Sequence, residues 1–210
     1  MIRHTWLIAA LALAALVAPQ FTSAGGDKKE PVVKTPNYYP LQVGNRWDYD
    51  LTANGNTVPM STTIARSETI DGVPLAVLEM SMQGKMVASE HLRQTDKGLV
   101  RYRSGQFVPT PPFVMVKYPI KSGDKWDGSF KVGEAKANYS SEAEEETIEV
   151  PAGKYKTMRV AIKIEENGNV VKTTYWFAEN VGFVKQTIEA ANVDVVVELR
   201  KFEPKVEAPK

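Results

Sequence analysis

The chain has no cysteine. That excludes disulfides, thiolate metal sites, a cysteine nucleophile and a lipid-modified N-terminal cysteine, so packing alone must hold the fold. Histidine is almost as scarce: His4 and His91 are the only two, and His4 lies in an N-terminal stretch with the character of a leader. His91 alone cannot support a metal site that needs two imidazoles. An excess of one charge is also missing, with 26 basic residues against 25 acidic. Such a balanced surface has no general pull on nucleic acid, and none is expected as a partner. No P-loop, dinucleotide fingerprint, Gly-x-Ser-x-Gly elbow or His-Glu-x-x-His occurs. Neither an enzyme nor a cofactor is therefore expected.

Long apolar runs are confined to one place, "LIAALALAALV" from Leu7 to Val17, with Arg3 before it and small residues after it. This is the layout of a secretory signal peptide over residues 1–24, with Thr22 and Ala24 leading into the cut and Ala18 marking an earlier alternative. The run is short for a membrane span, so the mature chain is expected to be soluble, without a transmembrane segment, and exported to the periplasm or beyond the cell. Cleavage after Ala24 removes Arg3 and leaves acid and base equal.

Helical periodicity is the next absence. Runs rich in Val, Thr, Ile and aromatics alternate instead with Gly, Asn, Asp and Pro, the pattern of an all-β chain. Strands are predicted near residues 46–53, 57–68, 74–82, 86–94, 98–103, 113–118, 125–132, 136–149, 155–166, 170–178, 183–190 and 193–202. Asn54-Gly55 and Asn167-Gly168 suit tight primed turns, because Asn and Gly tolerate positive φ. Residues 25–37, "GGDKKEPVVKTPN", read as a flexible lead-in and 204–210 as a tail.

One phrase occurs twice. "YPLQVGNRWD" at 39–48 returns as "YPIKSGDKWD" at 118–127, and each copy is followed in order by "ETI" and by a Gly-containing phrase, "TDKGLVRY" at 95–102 and "ENVGFVKQ" at 179–186. Proline drives the preceding tyrosine toward extended backbone, glycine permits a turn, and Trp47 or Trp126 then anchors the strand. The predicted fold is one antiparallel β domain over 38–203, a barrel or sandwich of about 12 strands in two pseudo-symmetric repeats. Repeat one spans 38–103, a proline-rich crossover 104–117, and repeat two 118–203. Two separate domains would each have a marginal core.

The phrases "YYPLQVGNRWDY", "PPFVMVKYPIKSGDKW", "EVPAGKYKTMRV" and "TTYWFAENVGFVKQ" together resemble a family of exported bacterial β-proteins of uncharacterised function. The resemblance runs from about Tyr38 to Thr187. It implies an exported β domain and carries no catalytic residues with it. A fainter analogy, on compartment and β content alone, is to periplasmic half-barrel carriers of lipidated proteins.

Candidate sites are few. Trp176 and Phe177, with Tyr38, could form an aromatic platform for a ligand or partner, although neighbouring strand residues face opposite sides and one of the pair should be buried. Met80, Met82 and Met86 could line an apolar pocket or simply fill a gap. His91 is placed on the polar side of its strand, exposed or at an interface, without a catalytic role. The acidic run 141–149 is expected to pair across a hairpin with Lys154, Lys156, Arg159 and Lys163 rather than to bind calcium. The leading function is a non-enzymatic binding or envelope-associated module; the alternative is a periplasmic carrier of a lipid or other apolar ligand. A protein or an apolar small molecule is the expected partner.

Overall fold

The computed structural model describes residues 36–191 and 193–205; the expected signal peptide, most of the lead-in and the end of the tail lie outside the described residues. Alternating apolar residues build twelve strands: β1 Arg46–Ala53, β2 Asn56–Ile70, β3 Val73–Met82, β4 Lys85–Thr95, β5 Gly98–Ser104, β6 Phe113–Lys117, β7 Lys125–Val132, β8 Ala135–Val150, β9 Gly153–Glu166, β10 Asn169–Ala178, β11 Gly182–Ala190 and β12 Val193–Glu203. In β9, for example, Met158, Val160 and Ile162 are buried while Lys163 is exposed. Both Asn-Gly tips have positive φ at each residue, 50° and 76° at Asn54-Gly55 and 49° and 81° at Asn167-Gly168. Their backbone twist matches that of the flanking strands.

All twelve strands belong to a single antiparallel sheet, in the order β6-β5-β4-β3-β2-β1-β12-β11-β10-β9-β8-β7. This continuous sheet curls into a nearly closed barrel, which decides between the two architectures left open by the alternation. β1 closes the chain ends by pairing β12, from Arg46 opposite Glu203 to Ala53 opposite Val195. The edges that remain are β6 and β7. Between them, the Thr110 N–H donates to the Lys131 carbonyl at 2.9 Å and the Lys131 N–H to the Thr110 carbonyl at 2.8 Å.

The repeated phrase folds the same way twice. Gly44 N–H donates to Ile64 O (2.8 Å), Ile64 N–H to Asn45 O (3.0 Å) and Asn45 N–H to Gln42 O (3.1 Å). At the twin positions, Gly123 N–H donates to Ala143 O (2.7 Å), Ala143 N–H to Asp124 O (2.9 Å) and Asp124 N–H to Lys121 O (3.2 Å). Each phrase thus docks a turn onto the second strand of its own half. Residues 104–117 are more than a connection, since they end in β6, the sixth strand of the first half.

Aromatic stacking fills the interior in two places. Tyr39 stacks on Trp47 with ring centres 5.1 Å apart, and Tyr49 on Phe183 at 4.8 Å. Beneath the β6–β7 gap, Phe113 meets Phe130 edge-on at 5.6 Å and Tyr139 at 4.9 Å. Side chains therefore seal a place where backbone pairing lapses.

Candidate functional site: the two ends of the barrel

In an up-and-down sheet the connections alternate between the two ends, so the barrel has two unlike mouths. One end receives both tyrosine-proline phrases and the tips after β2, β4, β6, β8 and β10. Here Tyr39, Trp47 and Tyr118 are buried, and Tyr38 lies over Tyr118 with ring centres 6.2 Å apart. The Trp47 indole N–H donates to the Val181 carbonyl at 2.6 Å, and the Tyr49 hydroxyl to the Phe183 carbonyl at 3.0 Å. Burial first, and nearby Glu90 next, push the Tyr39 hydroxyl well above its ordinary pKa, so it stays protonated. This end is plugged.

The opposite end carries the tips after β1, β3, β7, β9 and β11 and the loop between β5 and β6. Exposed Met86, Val87, Val108, Val170 and Val193 all lie at this end, whereas exposed Val43 lies at the plugged one. Inside this rim, Leu51, Met80, Met82, Tyr139, Ile164 and Val195 pack against the core and remain half-buried. Each shares its strand face with a fully buried neighbour, as Leu51 does with Tyr49 and Ile164 with Ile162, so each points inward. Inward-facing apolar side chains at this end thus keep some solvent contact, unlike the buried aromatics opposite.

A polar patch lies on the wall of the same interior. Arg101 Nη2 reaches the Glu90 carboxylate at 3.0 Å and donates to the Tyr175 hydroxyl at 3.2 Å; the Ser104 hydroxyl donates to Glu90 at 3.2 Å. Burial works against the Arg101 charge, but Glu90 and Tyr175 outweigh it and hold the guanidinium protonated above its usual range. Both charged side chains keep 16% of their surface accessible, and buried Tyr175 and nearby Tyr39 tie the patch to the aromatic core. Sequence reading missed this pair. Its signal was Glu90, an acid on the same strand face as the core residue Leu92.

The anticipated platform does not assemble. Phe177 is 1% exposed and stacks on Tyr175 in the core, so its assignment to a surface is corrected. Trp176 faces outward, donating its indole N–H to Glu146 at 2.8 Å with the Lys185 ammonium 5.8 Å from its ring. Tyr38 belongs to the plugged end. Of the methionines, Met80 and Met82 lie in the open mouth. Met86 is 61% exposed and pairs with outward-facing Ser81, because a bulge between Met80 and Ser81 resets the register.

His91 also departs from expectation. It is 5% exposed, opposite fully buried Val77, with Nε2 3.2 Å from a Glu68 carboxylate oxygen. Leu92 faces the core, while His91 faces the other side of the strand beside Val77 and Glu68. The acidic run pairs as expected: Glu144 with Arg159 at 2.7 Å and Glu145 with Lys156 at 2.9 Å. Solvent screens such exposed pairs, so they add little to stability. Among the described residues, no three His, Asp or Glu side chains are grouped as metal ligands would be, and no helix is long and apolar enough to cross a membrane.

No family model and no curated protein matches the chain. Two solved structures are similar to it. One is a candidate lipoprotein from Parabacteroides distasonis, 15% identical with a TM-score of 0.46, the match covering 81% of this chain and 100% of that one. The other is a candidate exported protein with a YmcC-like fold from Bacteroides fragilis, 16% identical with a TM-score of 0.45, covering 81% of this chain and 98% of that one.

Proposed function

We propose that the chain is exported and works in the cell envelope as a non-enzymatic β-barrel that binds a ligand at its open end. The observation that carries this reading is the difference between the ends: one is plugged by stacked aromatics, while the other leaves Leu51, Met80, Met82 and Ile164 pointing inward and partly accessible. Burying that apolar surface under a ligand gains roughly 25 cal/mol per Å². Export is supported by the N-terminal sequence, in which Arg3, the apolar run Leu7–Val17 and the small residues up to Ala24 follow one another as in a signal peptide. The outward aromatic Trp176 supports a surface-binding module less well, because Glu146 and Lys185 already engage its ring.

The test is to recover the protein from the envelope and exported fractions of its native cells, sequence its N-terminus and weigh it under native conditions. A chain beginning at Gly25 is expected. Recovery of a full-length chain from the cytoplasm would overturn the reading.

A further inference from the structure

The barrel wall carries a groove on its outside, where neighbouring strands stop at different heights. β2 pairs β3 only as far as Met60 opposite Met82, so residues 56–59 run on without a β3 partner, and the Gln83-Gly84 turn lies against the step. Pro59 stands at its edge, with no N–H to extend the ladder. Two bulges border the same place. β12 bulges at Arg200, between the Asp48–Lys201 and Tyr49–Leu199 pairs, and β4 bulges at Val87, which leaves Met86 beside Ser81. Bulges re-aim side chains, and here one brings Arg200 into the lining. The groove holds about 280 Å³ between Arg46, Asp48, Ser61, Ser81, Gln83 and Arg200.

We propose that this groove is a second binding site, for a sugar unit of an uncharged glycan. It goes beyond the open end and does not depend on it. The charges here are already matched: Arg46 Nη2 lies 2.7 Å from Asp48, and Arg200 Nη1 lies 3.4 Å from Asp50. An anion would compete with two aspartates and a cation with two arginines, whereas a polyol competes with neither. Each guanidinium keeps further N–H groups to donate, and each aspartate a second oxygen to accept. Ser61 and Ser81 stand opposite each other across β2 and β3 and, like Gln83, both donate and accept. Sugar hydroxyls have the same double character. The short serine side chains and Gly84 leave room for a ring, and 61% exposed Met86 beside Ser81 offers a thioether to its C–H face. Among the described residues no aromatic side chain lines the groove, so a nucleobase would find nothing to stack on.

Isotope-labelled mature protein is titrated into the millimolar range with maltotriose, cellotriose, mannotriose, xylotriose and triacetylchitotriose while its amide resonances are followed. At least one of these sugars should shift the amides of Ser61, Ser81 and Gly84 saturably, leaving those of Thr174 and Thr187, paired across β10 and β11, in place. Anionic trigalacturonate and cationic, deacetylated chitotriose should bind at least tenfold more weakly than the best neutral sugar. Asp48→Asn and Arg200→Gln each remove a charged hydrogen-bond partner and should weaken binding about tenfold. Ser81→Leu fills the groove and should abolish binding, while Thr187→Leu should leave it within twofold. The spectrum of each free variant checks its fold. Should Ser81→Leu disturb it, the Asp48 and Arg200 variants, which largely keep side-chain shape, decide the matter.

Wild-type protein whose groove amides shift with none of the neutral sugars, or binding weakened as much by Thr187→Leu as by the groove changes, overturns the site. A charged trimer that binds as tightly as the best neutral sugar overturns the uncharged assignment. None of these results touches export, which the N-terminus and cell fraction decide separately.

Discussion

The barrel has two junctions between its halves, and they are built differently. At β1–β12 eight residues of β1 pair with the last strand of the chain. At the equivalent place, β7 faces β6 and only Thr110 and Lys131 exchange backbone hydrogen bonds. The strand-starting phrase is the same on both sides, so the difference comes from the partner strand. β12 runs for 11 residues; β6 runs for five, after "VPTPP". Proline has no N–H to donate, and Thr110 is the one residue among Pro109, Pro111 and Pro112 that can complete a pair. A duplicated strand start does not duplicate the pairing unless its partner can hydrogen-bond.

The twin tryptophans register the same difference. Trp47 is fully buried and its indole is bonded; Trp126 is 8% exposed and its buried indole N–H has no partner. The carbonyl twin to that of Val181 is that of Lys97, and it accepts the Tyr118 N–H at 2.9 Å. Trp47→Ala should therefore cost the most, about 5 kcal/mol in chemical denaturation, with Trp126→Ala nearer to 3 kcal/mol. Equal losses would remove the distinction between the junctions.

Phenylalanine sharpens the contrast. Trp47→Phe strands the Val181 carbonyl and should cost about 2 kcal/mol, whereas Trp126→Phe gives up no hydrogen bond and should cost less than about 1 kcal/mol by the same measurement. Thr110→Pro deletes one donor at the seam and should likewise cost no more than about 1 kcal/mol. A much larger loss there would mean that the single bridge, rather than the aromatic cluster beneath it, holds β6 against β7.

Much of this fold is legible in the chain. The Val and Thr alternation and the Asn-Gly tips place every strand within a few residues, because both are local signals. The repeat is legible because glycine and tryptophan do the same physical job twice. Closure is not: nothing local says that β1 will find β12 while β7 misses β6, which depends on contacts between distant residues. The site is less legible still. Alternation places one of Trp176 and Phe177 inside without saying which, and it groups Met86 with Met80 and Met82 until a bulge turns Met86 outward. His91 looks polar because its neighbours in sequence are polar; its burial comes from Val77 and Glu68 on other strands.

The most direct test of unlike junctions is native-state hydrogen exchange resolved by residue. Lys131 directs its N–H to the seam, so the N–H groups of Asp127 and Ser129 face the same way, while every β1 residue lies between two paired strands. The amides of Asp127 and Ser129 are expected to exchange roughly a thousandfold faster than those of Tyr49 and Leu51, which should open only with the whole domain. Equal protection on the two strands would contradict the broken junction and require β6 and β7 to be paired in solution.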